Sequence, residues 1–124
     1  MTSSSSTSPA RVFGIPNCDT VKKARTWLTD HGIAYEFHDF KKLGVPAPEL
    51  EQWLAAVGWE KLLNRQGTTW RKLDAGVQAS VVDAQTAAAV MVSTPSVIKR
   101  PVVMWADRSI TVGFKPESFA LQLP

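Results

Sequence analysis

Arg11-Val12-Phe13-Gly14-Ile15-Pro16-Asn17-Cys18-Asp19-Thr20-Val21-Lys22-Lys23-Ala24 decides how the chain is read. Arg11 to Ile15 is a short apolar run of the kind that forms a buried strand, and Pro16-Asn17 supplies turn chemistry after it. Val21, Ala24, Trp27 and Leu28 then recur at the three-to-four spacing of an amphipathic helix. Cys18, the chain's one cysteine, therefore stands at a helix start. The first backbone N–H groups of a helix have no intrahelical acceptor and the macrodipole favours negative charge, so a thiolate is stabilised there and an oxyanion beside it would be too. The competing reading of a lone cysteine is an inert, buried apolar residue.

Outward from this stretch the pattern continues as a βαβ unit. Asp30-His31-Gly32 ends the helix with a glycine placed to cap, and Ile33 to Phe40 alternates as a second strand, parallel to the first. That order leaves Cys18 at the carboxyl end of the first strand, the edge at which open α/β sheets bind ligands. Lys41 to Pro48 reads as a loop. A helix opens at Pro48-Glu49, carries Leu50, Trp53, Leu54 and Val57, and stops at Gly58, with a further short turn over Trp59 to Leu63. Asn64 to Leu73 lacks a clean period and is expected to be a polar loop leading into a brief helix held by Trp70. A helix is predicted over Asp83 to Val92, with Asp83 or Ser80 as its cap and Pro95 beyond its end.

Val97 to Trp105 turns into a buried strand, Ser109 to Phe114 forms another, and Asp107-Arg108 suits the hairpin between them. Pro116-Glu117 opens a closing helix with Phe119 and Leu121. The sum, β-α-β, helices, then β-β-α, is an α/β fold with a mixed sheet and the outline of a thioredoxin-like fold carrying a helical insert. Residues 1–10 are Ser/Thr-rich and are expected to be a disordered tail, leaving 11–124 as one domain.

Composition sets the outer limits. The 124 residues are 44% hydrophobic and 20% charged, as in globular proteins. The net charge of +3 is spread without long basic runs, which does not point to nucleic acid, and no apolar stretch has the length of a membrane span. One cysteine gives no internal disulfide and fits a reducing, cytoplasmic setting. His31 and His38 lack ligand spacing with Cys18 or each other, so no metal is expected. The five tryptophans are expected to be packing residues. Asp19, whose charge opposes a thiolate, is an alternative helix cap. Lys22 is better oriented toward the thiol than Lys23, Arg65 and Arg100 are either site cations or ordinary solvated charges, and Asn17 and Thr20 serve the turn or the thiol.

Three separated blocks resemble one family. Pro16 to Ala24, Trp59 to Leu73 and Ile98 to Val103 look like the arsenate reductase (ArsC)/Spx/YffB family, most like its YffB branch, over about residues 11 to 120. The resemblance implies a nucleophilic thiolate at Cys18 and a cis Arg100–Pro101 bond. Of the three arginines that surround the oxyanion in glutathione-dependent arsenate reductases, two fall on Arg65 and Arg100. The third falls on Lys115, where a bidentate guanidinium fork becomes a point charge, which weakens the case for arsenate itself. Spx-like regulators carry Cys-x-x-Cys, whereas this chain reads Cys18-Asp19-Thr20-Val21. With no second thiol, an oxidised Cys18 needs an external one.

The resulting expectation is a glutathione-dependent thiol oxidoreductase with Cys18, Arg65 and Arg100 as catalytic residues and Asn17, Lys22, Pro101 and Lys115 around the substrate. Glutathione is the co-substrate and glutaredoxin a further thiol partner, with no bound cofactor. The alternative is an Spx-like regulator that binds a protein such as RNA polymerase without catalysis.

Overall fold

The computed structural model describes residues 9–123, which form two compact units. The expected tail lies outside these residues except for Pro9 and Ala10, and Ala10 is already the first residue of a strand, 2% exposed. One unit comprises the chain up to Asp39 and from Arg100 onward; the other is Phe40–Lys99.

The first unit is built on a sheet of β1 (Ala10–Gly14), β2 (Tyr35–Asp39), β3 (Val102–Met104) and β4 (Ile110–Val112), in the order β2-β1-β3-β4. β1 and β2 are parallel, with Val12 opposite Phe37, while β3 runs antiparallel to both β1 and β4. Helix α1 (Asp19–Asp30) buries Val21, Ala24 and Leu28, three of the four positions the spacing picks out, whereas Trp27 is half-buried. Strand alternation sends Ala10, Val12, Val103 and Trp105 to one face, where they meet Ala24, Leu28 and Phe119 in a single core cluster. Phe119 is the centre of this packing. Its ring stands edge-on to Trp27, Trp105 and Phe114 at 4.8 to 5.3 Å between centroids, the tilted geometry that ring quadrupoles favour. Phe13 and Val102, cross-strand partners, are buried on the opposite face.

The closing helix of this unit is Pro116–Ala120, and Leu121, read from the sequence as part of its apolar face, lies just past its end at 83% exposure. The two last strands are also shorter than the apolar runs suggest. Val97 belongs to a 3-10 turn, Pro95–Val97, and Arg100–Pro101 is a cis peptide before β3. The hairpin turn is at Asp107-Arg108, where Arg108 takes the left-handed φ of 75° and Asp107 Oδ1 accepts from the Ser109 N–H and hydroxyl.

The second unit is helical: α2 (Phe40–Leu43), α3 (Ala47–Val57), α4 (Trp59–Leu62), α5 (Thr68–Arg71), α6 (Ala75–Ser80) and α7 (Ala84–Ser93), with the closing helix of the first unit counted as α8. Lys41 to Leu43 is thus a helical turn rather than the expected loop, and α6 is an addition to the sequence reading. α6 has no buried residue and so leaves no apolar periodicity to read. Leu50, Trp53, Leu62, Trp70, Ala87 and Met91 belong to the buried set of this unit. Its carboxyl end is tied to the end of α4: Leu63 bridges Ile98, and the Lys99 N–H donates to the Leu62 carbonyl at 2.9 Å. Of the two caps considered for α7, the structure uses Asp83, in a reciprocal box with Thr86.

Candidate functional site

The sheet topology decides which sequence blocks share an edge. β1 and β2 run toward the edge that ends at Gly14 and Asp39. Because β3 is antiparallel to β1, it starts there, at Arg100-Pro101; because β4 is antiparallel to β3, it ends there, at Gly113-Phe114-Lys115. The Gly113 N–H donates to the Pro101 carbonyl at 2.9 Å, joining the second and third of these segments. Cys18, four residues past β1, follows from the same edge.

The approach to the thiol is a tight turn. The Cys18 N–H donates to the Ile15 carbonyl at 3.2 Å across Pro16-Asn17, which turns the chain directly from strand into helix. Cys18 is the N-cap of α1, with extended backbone (φ −90°, ψ 125°), and its carbonyl accepts the first helical bond, from the Lys22 N–H at 2.9 Å. It is therefore Cys18, not Asp19, that occupies the cap position; Asp19 is the first residue inside the helix. The Cys18 side chain makes no capping bond. The N–H groups of Asp19, Thr20 and Val21 precede the first helical bond and so have no acceptor within the helix. A half-buried sulfur at the head of a 12-residue helix thus stands where backbone donors and the positive end of the dipole favour an anion.

Around it, Lys22 and Asn17 are exposed, Arg100 is half-buried, Pro101 is buried, and Lys115 is exposed at the N-cap of α8. One sheet edge therefore gathers Cys18, Asn17, Lys22, Arg100, Pro101 and Lys115. Arg65 belongs to the helical unit. It is exposed in the turn before α5, and its guanidinium carbon lies 5.7 Å from the centroid of the Trp59 ring. Lys23, the neighbour of Lys22, is exposed as well.

Gly14 is a site-positioning residue that the sequence reading passed over. A Cβ at Gly14 would lie 2.9 Å from Val21 Cγ2 and 3.9 Å from Arg100 Cβ. The end of β1 is thus pressed against the first turn of α1 on one side and approaches the Arg100 segment on another. The signal was present as a lone glycine inside an otherwise bulky strand, a pattern that marks close approach of another chain segment. Among the described residues no group of three His, Cys, Asp or Glu could hold a metal ion, and no helix is long and apolar enough to cross a membrane.

A mixed four-stranded sheet, a lone cysteine capping its first helix, a cis-proline before the third strand and a helical unit inserted between the second and third strands define a thioredoxin-like fold of the arsenate-reductase type. The chain belongs to the ArsC family, which it matches over residues 13–121. It is similar to the solved structure of the YffB protein, with 46% identity and a TM-score of 0.86 over 93% of this chain and 99% of that one. The solution structure of an arsenate reductase (ArsC) related protein from Brucella melitensis is 50% identical, with a TM-score of 0.70 over 92% and 93% of the two chains. An uncharacterised protein of Haemophilus influenzae is 42% identical over 108 residues, 87% of this chain and 93% of its own. The global transcriptional regulator Spx of Staphylococcus epidermidis is more distant, at 23% identity over 115 residues, 91% of this chain and 86% of its own.

Proposed function

We propose that the protein is a cytoplasmic, glutathione-dependent thiol oxidoreductase that works through Cys18 alone. The observation that carries this reading is the placement of a half-buried cysteine as the cap of α1, on the sheet edge that also holds Arg100, Pro101 and Lys115. The Cys18 thiolate attacks a sulfur of a glutathione mixed disulfide. The S–S bond breaks, the substrate leaves as its thiolate, and Cys18 becomes S-glutathionylated. Glutathione thiolate, or the thiol of a glutaredoxin, then attacks that new disulfide and returns Cys18 to the thiolate. With glutathione as attacker the product is glutathione disulfide, which carries the two electrons away. Arg100, Lys115 and Lys22 provide positive charge for a glutathione carboxylate or an inorganic oxyanion, and Asn17 and Pro101 border the same place.

Turnover of a glutathionylated peptide with glutathione is expected to vanish in Cys18→Ser, and Arg100→Ala is expected to raise KM for glutathione by about tenfold, the effect of losing one charge-assisted bond. Unchanged rates in both variants would refute the assignment. A second reading has the similarity to Spx in its favour: a regulator that contacts a protein such as RNA polymerase. Binding of purified polymerase without thiol turnover would select it.

A further inference from the structure

At the opposite end of the same unit, away from Cys18, lies a cavity of about 760 Å³, within the size range of small-molecule sites. Ala10 from the start of β1, Ile33 and Ala34 before β2, Trp105 after β3 and Leu121 and Leu123 after α8 give it mostly apolar walls. Its polar side chains are Asp107 and Gln122, of which Asp107 carries the charge. Asp107 Oδ1 accepts from the Ser109 N–H at 2.9 Å and lies 2.6 Å from the Ser109 hydroxyl, which is also 2.8 Å from Gln122 Oε1, so Oδ2 retains acceptor capacity. Those same bonds, the hydroxyl first and the backbone N–H second, hold the Asp107 carboxyl below the usual range and so keep it ionised.

The carboxyl end of α1 reaches the cavity through Gly32, whose N–H donates to the Thr29 carbonyl at 3.1 Å, and neither α1 nor α8 has a basic residue in its last turn. The α1 cap, His31, is stacked on Trp27 at 3.8 Å with Nδ1 2.8 Å from the Trp27 carbonyl, and neither it nor the exposed Arg108 lines the cavity. A pocket with an apolar body and a carboxylate selects an apolar group bearing a positive charge and disfavours anions.

We propose that this cavity is a second binding site, for a small organic cation such as an arylalkylammonium, separate from the thiol edge. The probe pair is 2-phenylethylamine and 2-phenylethanol, of equal shape and different charge, titrated into the full chain while the Trp105 indole N–H is followed by NMR. That N–H donates to Thr111 Oγ1 at 2.9 Å on a 6% exposed ring, so it reports on the cavity wall. The amine is expected to saturate and to bind about three- to fivefold more tightly than the alcohol, the range of a partly exposed charge pair. Asp107→Asn keeps the Oδ1 acceptor of the turn and is expected to abolish the difference by weakening the amine alone. Ala34→Trp, which adds bulk at a lining position, is expected to weaken both. No saturable change at Trp105, equal binding of the two probes, or a preference that survives in Asp107→Asn would overturn the proposal.

Discussion

Replacing Gly14 by alanine tests how the thiol-bearing helix is seated. The added Cβ would sit 2.9 Å from Val21 Cγ2 and 3.6 Å from Cγ1, the first of these closer than real Cβ contacts come. Val21 cannot swing aside cheaply, because it is fully buried and a β-branched side chain in a helix has one strongly preferred rotamer. Overpacking of this kind costs about 1–3 kcal/mol. Gly14 has no positive φ, so alanine also regains about 0.4–1 kcal/mol by restricting the unfolded chain. The net expectation is a loss of about 1–2 kcal/mol, or a fall in Tm of about 4–8 °C for a chain of this size.

The cause is separable from any general effect of the substitution by a double-mutant cycle. Val21→Ala alone costs about 2 kcal/mol through the space it leaves. In the Gly14→Ala background the new methyl occupies part of that space, so the double variant is expected to be more stable than the sum by about 1–2 kcal/mol. Urea unfolding of the four proteins, with unchanged m values, measures this coupling. Additive costs, or a stabilising Gly14→Ala, would show that β1 is not pressed onto α1 as described.

Phe119→Ala is expected to cost about 3–5 kcal/mol in urea unfolding, since a fully buried ring with three edge-on aromatic partners is removed, while Phe119→Leu should cost under about 1.5 kcal/mol. Asp83 has its carboxyl held below the usual range by the Thr86 N–H and then the Thr86 hydroxyl, so its contribution is present above the unfolded-state value and is lost as pH falls through the lower folded one. Asp83→Ala should therefore lower Tm at pH 7 and narrow its gap from the parent protein as the pH is taken below 4. Lys115→Arg restores a planar fork at the thiol edge and is expected to strengthen protection of Cys18 from alkylation by arsenate about tenfold, with Lys115→Ala weakening it; equal protection in all three would remove Lys115 from the site.

How much of this was legible depended on whether a residue's partners were near in sequence. The βαβ unit, the helix-ending glycine Gly32 just after the His31 cap and the hairpin at Asp107-Arg108 were readable because period, turn chemistry and chain order specify them locally. Leu121 misled for the complementary reason: two apolar residues at i and i+2 near a chain end resemble a helix face, but α8 stops at Ala120 and only Phe119 finds rings to pack on. Helix α6 was invisible because it buries nothing, and the strand before Trp105 was overread because buried residues such as Val97 and Ile98 serve the helical unit instead.

The thiol edge shows the same division at the level of chemistry. That Cys18 begins a helix could be argued from the eighteen residues 11–28, because a strand, a turn and a 3.6-residue period meet there. That Arg100 and Lys115 belong to the same edge could not, since it depends on β3 and β4 each reversing direction beside β1. Gly14 joins the two levels. Its lack of a side chain is a local fact, but its purpose is set by Val21 seven residues on and by the Arg100 segment far along the chain. A residue conspicuous only for what it lacks is thus where the seating of the Cys18 helix is most open to test.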